Sequence, residues 1–158
     1  MKKEEPKLGE ILIRKGWLSP PALEEALSKQ KKTRQFLGEI LLADRKITDE
    51  QLAMALAEQS GLAFVRLANF YVDWPLVFRF SSSLILEKKC FPLRVSGNEI
   101  TFALTNTLDA WTVSQIEQES RGYRVRLTLV TQKDMNELMA RYREYVNIKV
   151  RKQLDSEQ

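Results

Sequence analysis

Apolar residues at Leu8, Ile11 and Leu12 recur at Leu37, Ile40 and Leu41, one helix face presented twice. The block Lys7-Leu8-Gly9-Glu10-Ile11-Leu12 returns as Phe36-Leu37-Gly38-Glu39-Ile40-Leu41 at an offset of 29. From Leu8 to Gln30, nine of 23 positions are identical at that offset. Each unit reads as a pair of short helices. Gly16 suits a left-handed cap after the first helix, and Ser19 then caps the second with Pro20 at the tolerated first position. In the second unit Thr48-Asp49-Glu50-Gln51 is a capping-box pattern, and Gly61 closes the helix. Residues 1–61 are thus expected to form a helical subdomain of four helices, packed as two similar pairs.

The pattern then changes period. Leu62 to Leu67 reads as a short strand or extended crossover, and Ser81 to Lys89 as a helix. Phe91 to Val95 and Glu99 to Leu104 alternate around Ser96-Gly97-Asn98, a hairpin signal. A helix from Asp109 to Ser120, a strand from Tyr123 to Val130 and a helix from Thr131 to about Tyr145 complete the order. The predicted fold class is α+β: the helical tandem repeat packed beside a small α/β subdomain over 62–145 with a short sheet. The polar, mixed-charge stretch 146–158 reads as a tail or linker. Phe64, Phe70, Tyr71, Trp74, Phe78 and Phe80 are expected to serve core and subdomain packing, and Cys90 to be an inert core thiol.

Composition narrows the chemistry. The chain has 158 residues, 25 Lys and Arg, 21 Asp and Glu, one cysteine and no histidine. The missing histidine removes imidazole bases and His-ligated metal sites, and a single cysteine removes internal disulfides and thiolate zinc sites. No G-x-x-x-x-G-K-[ST] occurs, so this chain carries no P-loop. The expectation is a binding module rather than an enzyme, with no metal and no cofactor. Residues 1–65 hold 11 basic and 10 acidic side chains and residues 66–158 hold 14 and 11, which leaves no broad basic face for long nucleic acid. Lys29, Lys31, Lys32 and Arg34 form a local cluster, either a solvated helix end or a neighbour for a small anionic ligand. No apolar run reaches the roughly 20 residues of a bilayer span. The expected setting is cytoplasmic, including the cytoplasmic portion of a membrane-associated protein.

The repeated face carries the candidate site. Leu23, Leu27 and Gln30 stand at i, i+4 and i+7, and Leu52, Leu56 and Gln59 repeat them. Leucines alone would be core, but an amide extending an apolar stripe twice needs polar partners. Each glutamine either caps a neighbouring helix end or reads a polar ligand edge. Gly9 and Gly38 leave room for another surface to approach, beside helix N-terminal amides suited to phosphate. A ligand with two similar halves, flat rings and phosphates would match two such units.

These residues resemble the 24-residue motif of MshEN domains, which runs Arg-Leu-Gly, a Gly followed by two apolar residues, then Leu, Leu and Gln. Here the copies are 7–30 and 36–59, separated by the five-residue spacer Lys31-Lys32-Thr33-Arg34-Gln35. The chain from there to about 145 is similar to the α/β portion of the N-terminal domain of type II secretion and type IV pilus ATPases. The resemblance implies cyclic di-GMP as ligand. Its site would comprise Lys7, Leu8, Gly9, Leu23, Leu27, Gln30, Arg34, Phe36, Leu37, Gly38, Leu52, Leu56 and Gln59, with leucines against guanines and the Leu-Gly backbone near the phosphodiester ring. Lys7 replaces the family's Arg, Phe36 replaces the basic residue of the second copy, and Arg45-Lys46 replaces its Gly and apolar residue. Phe36 is then left to stack on a base, and Arg34 or Arg45 to restore charge. The implied function is a regulatory sensor controlling an attached or partner secretion or pilus ATPase, or a membrane glycosyltransferase that carries the module as a cytoplasmic tail. The alternative is a protein–protein docking domain that has lost the nucleotide, meeting a membrane-anchored partner protein.

Overall fold

The structure, a computed structural model, describes residues 6–158. Four helices come first: α1 (Leu8–Arg14), α2 (Pro20–Thr33), α3 (Leu37–Ala43) and α4 (Asp49–Ser60). Ser19 Oγ accepts from Ala22 N, and Thr48 and Gln51 exchange the two bonds of a capping box. Both short helices end alike. Trp17 N donates to Leu12 O and Gly16 N to Ile13 O, while Lys46 N donates to Leu41 O and Arg45 N to Leu42 O. Gly16 takes φ +72 for this turn, and Arg45 holds the equivalent left-handed position at φ +55. Ile11, Leu12, Ile40 and Leu41 are almost wholly buried, each contributing roughly 1.5–3 kcal/mol by its burial.

The remaining elements are β1 (Ala63–Phe64), 3₁₀ turns at Leu67–Asn69 and Trp74–Arg79, α5 (Ser82–Leu86), β2 (Phe91–Ser96), β3 (Glu99–Leu104), α6 (Ala110–Glu119), β4 (Arg124–Leu129) and α7 (Gln132–Ser156). They form a mixed four-stranded sheet in the order β1-β4-β3-β2. The β2–β3 hairpin is antiparallel, whereas α6 returns the chain so that β4 runs parallel to β3, and β1 adds parallel to β4. The register shifts by one residue between Pro92 and Arg94, and the bulged Leu93 offers its carbonyl to Asp73 N. The α+β class is as the pattern predicts.

Two apolar cores result. One lies among the four N-terminal helices; the other lies between the sheet and α5, α6 and α7, around Phe91, Phe102, Leu104, Ile116 and Leu138. Leu56 packs against both.

Two expectations need correction. The last helix does not stop near Tyr145 but continues to Ser156, because residues 146–156 contain neither Gly nor Pro to end it. Nor do all six connecting aromatics pack inward. Phe80 is buried and Phe64, Phe70 and Trp74 are half-buried, but Tyr71 is 75% exposed and Phe78 55% exposed. Cys90 is fully buried, and that burial pushes its thiol up to about 12.

Candidate functional site

The two repeats pack reciprocally. α1 lies on α4 and α2 on α3, so the second helix of each copy meets the first helix of the other. An offset of 29 converts either contact into its counterpart, which is a local pseudo-two-fold axis. The glutamines obey it. Gln30 Nε2 donates to Gln35 O at 3.2 Å and Gln59 Nε2 to Pro6 O at 3.4 Å, each bracing the backbone that enters the other copy's first helix. This is neither of the two roles expected from the sequence: the amides donate to carbonyls ahead of the helices and cap no helix N–H.

A groove of about 650 Å³ opens beside this axis. Leu8, Gln30, Phe36, Leu37, Gly38, Leu52, Leu56 and Gln59 of the expected set line it. Lys7, Gly9, Leu23, Leu27 and Arg34 do not. The copies are unequal in cover: Leu27 is 39% exposed, whereas its counterpart Leu56 is half-buried between the two cores. Phe36 is 69% exposed at the groove edge.

The glycines act inside the repeat. A Cβ on Gly9 would lie 2.7 Å from Leu23 Cδ1, and one on Gly38 would lie 2.9 Å from Leu52 Cδ1. Their vacant side is thus filled by the motif's own first leucine. Leu23 and Leu52 hold α1 and α3 as much as they present a surface.

Sequence reasoning missed the groove's second wall. Thr105, Asn106 and Thr107 after β3, together with Gln132 at the start of α7, complete the lining, as do Glu39 and Leu42 of α3. The polar Thr-Asn-Thr run at the carboxyl end of a strand was the available signal. A further link joins the walls: the Asp49 carboxylate, on the first residue of α4, accepts from Gln132 N and Lys133 N, both at 2.9 Å. It thereby caps α7 from the other subdomain.

Charge follows the pseudo-symmetry with its sign inverted. Lys15 lies 3.1 Å from Glu58 across α1–α4, and Lys29 lies 2.5 Å from Asp44 across α2–α3. Lys15 corresponds to Asp44 and Lys29 to Glu58. The hydrogen bond from Lys15, with Arg14 beside it, holds the Glu58 carboxyl below its ordinary range, and the bond to Asp44 raises Lys29.

The profile of the MshEN domain family matches residues 60–146, the sheet-bearing part of the chain. The chain belongs to the MshEN domain family. Among curated relatives, a type IV pilus assembly ATPase PilB of Thermus thermophilus is 36% identical over 116 residues, 70% of this chain and 12% of the relative. Bacteriophage adsorption protein B of Escherichia coli K12 is 28% identical over 123 residues, 78% of this chain and 16% of its own length. This MshEN chain therefore spans less than a fifth of either relative. Among solved structures, one of MshE with cdg superposes with a TM-score of 0.74 at 24% identity, covering 87% of this chain and 99% of that one. The N-terminal domain of XpsE superposes at 0.65 with 15% identity, over 90% and 99%. At these identities the likeness is one of fold.

Proposed function

We propose that this MshEN chain is a regulatory module that binds cyclic di-GMP in the groove between its repeats. The observation that carries the reading is the pairing of equivalent positions, Leu8 with Leu37 and Gln30 with Gln59, around one local two-fold at one opening. Cyclic di-GMP is itself two halves related by a two-fold, so each copy meets one half. Leu8, Leu37, Leu52 and Leu56 of the lining supply apolar contact to the guanines, and Phe36 offers an exposed ring face for stacking. Gln30 and Gln59 keep their carbonyl oxygens for base edges, while Lys7, Arg34 and the spacer lysines bring positive charge beside the phosphates. The groove volume lies within the range of small-ligand sites.

Binding would act on an attached or partner machine, a pilus or secretion ATPase or a membrane glycosyltransferase, and no catalysis is assigned to the module itself. The pilus assembly ATPase among the relatives gives the first of these its direction. Titration calorimetry of the chain with cyclic di-GMP is the test. Saturable heat at one ligand per chain is expected, weakened about tenfold or more by Gln30→Ala or Gln59→Ala without a matching fall in Tm. Absence of heat at high micromolar ligand rejects the sensor and leaves the docking domain, a reading favoured by Phe36 standing where the motif has a cation.

A further inference from the structure

The 3₁₀ segment Trp74–Arg79 and the middle of α7 build a second surface, remote in sequence from the groove's motif residues. Phe78, 55% exposed, lies 5.6 Å from Tyr145, and Tyr145 lies 5.8 Å from Trp74. Trp74 in turn meets the fully buried Phe91 edge-on at 5.7 Å. The exposed Phe78 ring is therefore tied through half-buried Tyr145 and Trp74 to the core and held in place before anything binds. Ile148, 46% exposed, extends the patch, and a hollow of about 190 Å³ opens among Trp74, Arg141, Glu144, Tyr145 and Ile148.

Two cations flank it. The Arg141 guanidinium sits 5.0 Å over the Trp74 ring and the Lys149 ammonium 5.9 Å over Tyr145. Neither takes part in an ion pair among the described residues. Half-buried Trp74 and Tyr145 beside an exposed Phe78 and an unpaired Arg141 is the composition of binding hot spots. Solitary apolar side chains on a surface need no explanation, but a contiguous, core-anchored aromatic patch flanked by cations does.

We propose that this face docks an acidic segment of another protein, which lays an apolar side chain across the shallow hollow. Carboxylates flanking that anchor meet Arg141 and Lys149, and the anchor covers Phe78, Tyr145 and Ile148. An anionic membrane fits less well, because Glu144 stands in the lining of the face and Asp155 lies further along the same helix. The proposal does not depend on ligand binding in the groove.

The test uses the full chain and a panel of fluorescein-labelled helical peptides carrying Leu, Ile, Met, Phe or Trp anchors at i and i+4 among glutamates. A matched panel has lysines instead. Saturable anisotropy is expected with glutamate-flanked peptides, falling with added salt, and not with lysine-flanked ones. Phe78→Ala and Arg141→Glu should each weaken it about tenfold while Tm and circular dichroism hold. Ile148→Ala serves as a second exposed-site variant if either of those loses its fold. Equal binding of both panels, no binding of the acidic panel at high micromolar concentration, or binding indifferent to all three variants overturns the proposal. So does Phe78-dependent co-sedimentation with phosphatidylcholine–phosphatidylglycerol vesicles, or self-association abolished by Phe78→Ala. Those last two outcomes would reassign the face to lipid or to a second copy.

Discussion

Arg45 shows what the pseudo-symmetry demands of single residues. It occupies the left-handed position that Gly16 occupies in the first copy, with the same pair of backbone hydrogen bonds. A side chain there costs roughly 1–2 kcal/mol that glycine does not. Arg45→Gly is therefore expected to raise stability by about that amount, and Gly16→Arg to lower it similarly, both read as shifts in the denaturant midpoint at unchanged m. Gly9 and Gly38 make a second pair. An alanine at Gly38 drives into Leu52, which is buried, whereas one at Gly9 displaces Leu23, which is half-buried and has somewhere to go. Gly38→Ala should destabilise by about 1–3 kcal/mol, and Gly9→Ala by visibly less, in thermal melts. The caps at Ser19, Thr48 and Gly61 were legible because each is a local bargain between one side chain or one φ and adjacent amides. The true neighbour of each glycine was not, since Leu23 approaches Gly9 only once α1 and α2 have turned on each other.

Between elements, the informative feature is the exchange of charge across the pseudo-two-fold. α1 carries Lys15 toward Glu58 of α4, and α3 carries Asp44 toward Lys29 of α2. Pairing each copy with itself would set Lys15 against Lys29 and Asp44 against Glu58. The inverted signs therefore favour the observed reciprocal pairing and oppose the homotypic one. Both pairs are solvent-exposed, so their role is selection more than stability. Glu58→Lys should lower Tm by placing three cations together, and Lys15→Glu added to it should recover part of the loss, a coupling measured by a double-mutant cycle. The pH dependence has a definite sign. Because the folded Glu58 carboxyl is held below its unfolded range, its contribution is present above that range and lost as pH falls through the folded value. Melts from neutral to acidic pH should show a shallower decline in Lys15→Met than in the wild type. The helices and hairpin were readable from period and turn chemistry. The extension of α7 past Tyr145 was obscured by its polar, mixed-charge composition, although Val146, Val150 and Leu154 stand at i, i+4 and i+8 and nothing in 146–156 breaks a helix.

At the scale of the whole molecule, Asp49 adds a polar joint to the apolar one that Leu56 makes between the two cores. It begins α4, the helix that presents Leu52, Leu56 and Gln59, and it caps α7 through Gln132 and Lys133. α7 then runs 25 residues, about 37 Å at the helical rise, from the groove wall past the Tyr145 face. The tandem motif and the individual groove-lining leucines were legible as sequence, because repetition needs no structure to be seen. This joint was not, since Asp49 reads locally as an ordinary first-turn acid of its own helix, and its acceptor role depends on an element 83 residues away. A ligand seated against α4 and Gln132 would restrain both sides of the joint, and α7 would carry that restraint outward. Amide hydrogen exchange separates the parts of this argument. In the free chain, Asp49→Ala should speed exchange at the first turn of α7 and cost about 1–2 kcal/mol, the range of a lost helix cap. Asp49→Asn, which keeps one acceptor oxygen of two, should fall between. With cyclic di-GMP bound, exchange in the same turn should slow in the wild type and much less in Asp49→Ala, even though calorimetry still records binding. Equal protection in both proteins would show that the groove and α7 communicate by some route other than Asp49.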